Sequence, residues 1–434
     1  MNMTKIDSIK ALELLDSRGN PTVGCTVTLS NGAKGTAYSP SGASTGQYEA
    51  YELRDGDTNR YQGKGVRNAV SNVNSILNDA LSGTEWSDFW KFDQSLVALD
   101  KTGNKAEIGA NAILAVSLAT AKAFAEASHI QLWEFLSQQD GMQPQLPVPM
   151  LNILNGGRHA SNSTDIQEFM IIPVGFDKFH ESLRAGVEIY QSLRYILGES
   201  GHNLNVGDEG GFAPQLGSNE EALNLIMQAI ERSGYSAGDQ IMLALDVAAS
   251  ELYDKETNLY VLDRQGITVG SDDLINIYET WIKKYPIISI EDGLNEDDWD
   301  GWIALNYRLG QDVQLVGDDL LVTNIDRINI ASGTNACNSI LLKPNQIGSM
   351  SETREALTLA KSNDWTTVMS HRSGETEDAT IADLAVGWSA GQIKTGAPAR
   401  SDRVAKYNRL LQIEDQLGDG AVFAGKKVFS NFMQ

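Results

Sequence analysis

The sequence predicts an α/β fold in two parts. A smaller N-terminal α+β domain spans residues 1–140, and a larger domain of repeated βα units spans 141–434. Three observations predict it. Beyond residue 150, short apolar runs rich in β-branched residues recur, after one longer gap between Asp246 and Glu291, at intervals close to the roughly 30 residues that one strand, one crossover helix and two loops need. Each of these runs finishes on a charged or polar side chain. Between the two parts, "DGMQPQLPVPM" (140–150) concentrates Pro144, Pro147 and Pro149, as domain boundaries do.

The N-terminal part opens with strand-like alternation. "TVGCTVTLSNGAKGTAYSP" (22–40) places Asn31-Gly32 between two such runs, which is a hairpin signal. "EIGANAILAVSLATAKAFAEAS" (107–128) is Ala-rich and apolar on nearly every side, so it predicts a buried helix.

In the second part, "QIMLALD" ends at Asp246. "PIISIED" carries Glu291 and Asp292, and "VQLVGDD" carries Asp318 and Asp319. "SILLK" ends at Lys343, "TTVMSHRS" carries His371 and Arg372, and "GQIK" ends at Lys394. Six units in series predict a parallel sheet. In a (β/α)8 barrel the strand C-terminal ends converge on one face, where active sites are built. Asp246, Glu291, Asp318, Lys343, His371 and Lys394 are therefore expected to ring one mouth.

Three carboxylates from three neighbouring strands form an all-oxygen site, which suits a hard dication such as Mg²⁺ or Mn²⁺ better than zinc. The alternative is that each carboxylate pairs with a nearby Lys or Arg. Lys343 beside a dication would have its pKa lowered towards neutrality and become a general base. Alternatively it is a structural lysine paired with Asp318. "NVGDEGGFAP" (205–214) sets Asp208 and Glu209 against a double glycine, which permits a tight turn near a ligand. "SPSGASTGQYEA" (39–50) is a small polar loop suited to a mobile lid, centred on 41–46.

Charge excludes some functions. With 34 Lys and Arg against 57 Asp and Glu, the net charge is −23, which disfavours nucleic acid and anionic lipid. No signal-peptide stretch or membrane-length apolar run occurs, and the two cysteines form no metal or disulfide pattern. A cytoplasmic protein without nucleic-acid or membrane partners is expected. No phosphate-binding Walker motif or complete Gly-x-Gly-x-x-Gly string is present, which argues against a nucleotide enzyme.

Eleven stretches together resemble the enolase family. They are "LLDSRGNPTV" (14–23), "PSGASTG" (40–46), "LNGGRHASN" (154–162), "DIQEFMIIP" (165–173), "VGDEGGFAP" (206–214), "ALDVAASE" (244–251), "SIEDGLNEDDWDGW" (289–302), "LVGDDLLVTN" (315–324), "LLKPNQIGS" (341–349), "SHRSGETED" (370–378) and "GQIKTGAPARSDRVAKYN" (391–408). The resemblance implies a modified (β/α)8, TIM-type barrel behind the α+β domain, a homodimer or higher homo-oligomer, and a phosphorylated small-molecule substrate. The implied reaction is reversible dehydration of 2-phosphoglycerate to phosphoenolpyruvate, with two Mg²⁺ ions, the second arriving with substrate.

By the same resemblance, metal ligands match Asp246, Glu291 and Asp318, with lid residue Ser44 on the second ion. The base matches Lys343, the acid Glu209, and an assisting carboxylate Glu168. Substrate contacts match His159, Gln167, Glu168, Glu291, Asp318, Lys343, Arg372, Ser373 and Lys394, and His371 matches a site histidine. Pro344, Arg158 and the pair Gly24-Cys25 depart from the common family strings without removing a site residue. Two other functions compete. One is a superfamily lyase or racemase acting on a non-phosphorylated acid. The other is a non-catalytic binding protein that keeps the fold.

Overall fold

The computed structural model describes residues 4–42, 46–157, 160 and 163–433. The expected roles of Ser44 and His159, and the departure at Arg158, lie outside the described residues. The N-terminal sheet holds β1 (Thr4–Leu15), β2 (Pro21–Leu29), β3 (Lys34–Tyr38) and β4 (Glu85–Trp86), all antiparallel, in the order β3-β2-β1-β4. The expected hairpin joins β2 to β3. Gly32 takes a φ of 89°, and Asn31 Oδ1 accepts the Ala33 N–H at 3.0 Å. The helix Ala110–Ala127 lies against β2 and β3 and is buried on nearly every side, as its composition predicts. Strand and helix touch backbone to backbone at Gly35, where an added Cβ would fall 2.0 Å from the Ala119 carbonyl oxygen.

The second part begins with β5 (Val148–Asn155), β6 (Glu168–Pro173) and β7 (Ile241–Asp246). A small separate sheet of β8 (Tyr253–Asp254), β9 (Leu259–Leu262) and β10 (Ile267–Val269) follows. The chain then lays down β11 (Ile287–Glu291), β12 (Gln314–Gly317), β13 (Ser339–Leu342), β14 (Thr366–Ser370) and β15 (Gly391–Lys394). Eight strands close into a barrel in the order β11-β12-β13-β14-β15-β5-β6-β7. Helices separate the later strands, from Ser271–Lys284 before β11 to Ser401–Leu417 after β15.

The six expected units, β7 and β11–β15, run parallel to one another, whereas β6 runs antiparallel to both β5 and β7. A parallel return needs a crossover, usually a helix, and the 156–167 link has none among its described residues. Two helices, Phe179–Glu199 and Asn219–Arg232, then precede β7. The barrel is thus modified at its first unit, as the family resemblance implies.

The barrel interior is filled rather than open. Met150, Met170, Ile172, Ala244, Ile288, Val316, Leu341 and Val368 form one buried cluster. Beside it Gln314 donates to Ser289 Oγ at 3.0 Å, and Gln392 donates to Gln314 Oε1 at 2.7 Å, so this polar group is internally satisfied. Among the described residues no helix is long and apolar enough to cross a membrane.

Candidate active site

Strand register sets the site. Glu168 on β6 pairs with Asp246 on β7, and Asp246 pairs with Glu291 on β11. Asp318 follows the last residue of β12, Lys343 follows β13, His371 follows β14, and Lys394 ends β15. The expected ring therefore assembles at one mouth. Because β6 is reversed, Glu168 opens its strand where its neighbours close theirs.

Lys394 occupies the centre of this ring. Its Nζ lies 2.9 Å from Asp246 Oδ2, 2.8 Å from both Glu291 oxygens and 3.3 Å from Glu168 Oε2. Burial alone would lower this ammonium. The carboxylates of Asp246, Glu168 and Glu291 outweigh burial and hold it well above the usual lysine range. Glu291 is raised all the same, first by burial and then by Asp246 beside it.

Lys343 donates to Asp318 Oδ2. Burial draws the lysine down, yet the Asp318 carboxylate leaves it above its ordinary value. Asp318 moves the complementary way: burial raises it, and Lys343 brings it below the usual carboxylate range. The expectation of a lysine lowered towards neutrality is thus not met by the protein groups alone, because the contact with Asp318 outweighs desolvation. The paired-lysine alternative describes Lys343 here, and the paired-carboxylate alternative describes Asp246 and Glu291.

Pro344 now has a structural account. It is the first residue of the one-turn helix Pro344–Ile347, where a missing N–H costs nothing. It also holds Lys343 extended, at φ −117° and ψ 101°. The Lys343 N–H reaches Thr323 Oγ1 at 3.0 Å, and Gln346 donates to Asp318 Oδ1 at 2.8 Å, so both members of the pair are anchored.

Glu209 comes from the Asp-Glu-Gly-Gly turn. Its Oε2 accepts from Asn152 Nδ2 at 3.0 Å and lies 3.4 Å from His371 Nε2. The double glycine makes the expected tight turn, with Gly210 at φ 88°, and packs closely: a Cβ on Gly211 would meet Asn155 Oδ1 at 2.2 Å, and one on Gly210 the Ala399 carbonyl at 2.9 Å. Glu168, fully buried, is pushed well up by burial and then by the charge of Glu209. Burial holds His371 down at about 3, despite Glu209 and aided by Arg403.

Arg372 presents its guanidinium to Glu49 and to Asn345 Oδ1, the latter at 3.0 Å. Ser373 follows it in the same pocket, which Gln167 also lines; Gln167 Nε2 lies 3.5 Å from Asp246 Oδ2. The segment just past the expected lid docks on the barrel. Gln47 N–H reaches Glu296, Tyr48 Oη reaches Asp297, and the Arg327 guanidinium lies 4.0 Å over the Tyr48 ring.

Residues 6–136 match the family model described as "Enolase, N-terminal domain", and residues 143–432 match "Enolase, C-terminal TIM barrel domain". The chain belongs to the enolase family. This covers both parts of the molecule, so the ring of strand ends is an enolase-family barrel mouth.

The enolase-family mouth also holds residues that sequence reasoning did not assign to it. Asp292, Asp318 and Asp319 each bring a carboxylate oxygen within 4.8 Å of the other two. Asp292 accepts the backbone N–H groups of Asp318 and Asp319 at 2.9 and 2.8 Å. The doubled acids "ED" and "DD" at consecutive strand ends were the available signal. Glu49 and Arg403 carried none, since one is a loop acid and the other sits in an ordinary-looking helix.

A divalent cation fits this donor set. Among the described residues, seven carboxyl groups line the pocket against three cationic side chains, Lys343, Arg372 and Lys394. Burial, then neighbouring acids, raise Asp292 and Asp319 well above their ordinary range. Excess buried negative charge among oxygen donors calls for a hard cation.

Proposed function

We propose that this chain catalyses the reversible, Mg²⁺-dependent dehydration of 2-phosphoglycerate to phosphoenolpyruvate, a step of glycolysis and gluconeogenesis. The observation that carries the reading is the convergence, at one mouth, of Lys343, Lys394, the Glu168–Glu209 carboxyl couple and the Arg372-Ser373 pair.

Asp246, Glu291 and Asp318 would hold the resident Mg²⁺, with Asp292 and Asp319 beside them. Bound Mg²⁺ supplies electrostatic stabilisation of the extra charge that a carboxylate gains on losing its α proton. Lys343 is the base at C2. Asp318, which holds Lys343 in this structure, would also be one of the residues holding the cation, and a cation held there would offset the counter-charge that keeps Lys343 protonated. Lys394 stays charged and adds fixed positive potential.

The leaving hydroxyl needs a proton. Two buried carboxyls side by side resist ionising together, so the Glu168–Glu209 couple retains one. Glu209 delivers it, with Glu168 assisting. Arg372 offers a planar fork to the phosphate and Ser373 a hydroxyl. Gln167, His159 and Ser44 complete the substrate and second-metal contacts in this reading.

The test is Mg²⁺-dependent formation of phosphoenolpyruvate from 2-phosphoglycerate, followed by its absorbance. No product with Mg²⁺ present, and turnover of a non-phosphorylated acid instead, would move the chain to another superfamily reaction.

A further inference from the structure

One buried arginine is not used by this chemistry, and its surroundings are unusual. Arg403, in the helix Ser401–Leu417, has no solvent exposure. Its Nη1 lies 2.6 Å from His371 Nδ1 and donates to the Arg372 carbonyl at 2.6 Å. Its Nη2 donates to the carbonyls of Ser373 at 2.6 Å and Asp208 at 3.2 Å. Its Nε lies 2.8 Å from Asp402 Oδ2. One guanidinium therefore grips the turn that carries His371 and the residue before Glu209.

We propose that Arg403 is a positioning residue that fixes His371 as the neutral tautomer protonated at Nε2, aimed as a hydrogen-bond donor at Glu209. A guanidinium has donors only, so the ring nitrogen facing it must present a lone pair. That nitrogen is Nδ1, which leaves the proton on Nε2. Nε2 is the atom that faces Glu209 Oε2, at 3.4 Å. An imidazolium would set an Nδ1–H against the Arg403 N–H groups, donor to donor, in a buried site. Burial and the guanidinium also hold the ring well below its usual range. The other charged groups acting on it are Glu209 and Lys394.

The consequence rests on the proposed reaction. When Glu209 gives its proton to the leaving hydroxyl, it becomes a buried carboxylate. A donor already fixed at Nε2 meets that new charge without rearrangement, which is how preorganised groups lower a barrier. Arg403 touches neither substrate nor reacting atoms and acts through His371 and through the placing of Glu209.

The test begins with the unmodified protein. The chain has five histidines. Long-range ¹H–¹⁵N correlation of histidine-labelled protein at pH 7 reads each tautomer, and His371→Gln identifies the signal. The proposal expects an unprotonated Nδ1 and a protonated Nε2 at His371. A protonated Nδ1, whether as the other tautomer or as imidazolium, overturns it whatever the enzyme's activity.

The second arm is kinetic. Arg403→Gln is expected to lower kcat by about 100-fold, the cost of a small misplacement at a reacting centre. KM should change little and C2 proton exchange should persist, because Lys343 is untouched. Arg403→Lys, again a donor-only cation, is expected to restore part of kcat and the wild-type tautomer. Equal kcat in Arg403→Gln and the native enzyme, or loss of C2 exchange together with turnover in a folded Arg403→Lys variant, overturns the positioning role. Absence of any dehydration by the native enzyme removes the proposed reaction and leaves the tautomer reading standing or falling on its own spectrum.

Discussion

Arg372 and Glu49 are joined by two near-parallel contacts, Nη1 to Oε2 at 2.9 Å and Nη2 to Oε1 at 3.1 Å. Glu49 also accepts the Gly46 N–H at 3.0 Å, so the end of the lid segment and the expected phosphate fork share one carboxylate. On the proposed reading, phosphate would compete with Glu49 for the same donors. Glu49→Gln is expected to leave buried Arg372 without its direct ion-pair partner, at a cost of about 3–5 kcal/mol in stability. Inorganic phosphate should then bind more than about tenfold tighter by calorimetry, because an anion restores the pairing. Unchanged phosphate affinity would remove Arg372 from the phosphate site.

Lys343 and Glu209 are assigned opposite halves of the reaction, and isotope exchange separates them. Lys343→Ala is expected to abolish solvent exchange at C2 and turnover together, by a factor of about 10²–10⁴ or more. Glu209→Gln is expected to stop dehydration while some C2 exchange survives. NMR of substrate in D₂O reads both, and normal exchange in Lys343→Ala would end its assignment as base.

The carboxylate excess predicts a large response to Mg²⁺. At a concentration about 100 times Kd, binding stabilises the fold by about 2.7 kcal/mol, seen as a higher Tm. Glu291→Gln should remove most of that gain, since Glu291 is completely buried among the proposed ligands. An undiminished Tm rise in this variant would place the ion elsewhere.

Away from the site, Lys361 predicts a pH dependence. Its Nζ donates to the carbonyls of Trp388 and Ser389 at 2.7 and 2.9 Å, and burial draws the ammonium down to about 8. The unfolded chain, titrating near the ordinary 10.5, binds the proton more tightly. The charged lysine therefore penalises the fold in full below pH 8, and stability recovers as pH rises from 8 towards 10.5. The stability of Lys361→Met relative to the native protein should fall across that window by about 3 kcal/mol at most. Denaturant unfolding at several pH values measures it, and a pH-independent difference would contradict the shift.

Gly35 predicts a packing limit. Its missing Cβ leaves room for the Ala119 carbonyl, and the Ala123 nitrogen would stand only 2.4 Å from it. Gly35→Ala is expected to lower stability by about 1–3 kcal/mol or more, since the obstacles are helix backbone and cannot rotate away. Gly103→Ala, with nothing within 4 Å, is the control and should be near neutral in thermal unfolding.

The strand ends were legible in the sequence because each apolar run stops on a group that water or a ligand must meet. Asp246, Glu291, Lys343 and Lys394 stand where that pattern places them. The reversal of β6 was not legible from periodicity, since a buried strand reads the same in either direction. Partner choice was legible for Lys343 and Asp318, which end neighbouring strands, and not elsewhere. That Lys394 bridges Asp246 and Glu291, or that Arg403 meets His371, depends on which residues the barrel closure brings together. The hairpin at Asn31-Gly32 was readable because its determinants are local.

Closure of the barrel rests on β15 meeting β5, with Gln392 opposite Val148. Arg372 and Glu49 are 323 positions apart along the chain. A nascent polypeptide leaving the ribosome therefore carries every early acid of the mouth long before Lys394 exists to neutralise it. Until the last strand is made, Glu168, Asp246 and Glu291 lack their lysine, and non-local pairing of this kind is slow to form. The final stretch of translation completes the fold's perimeter and its charge balance in the same event, so a chain stalled before residue 394 should be unable to close or to hold its own acids.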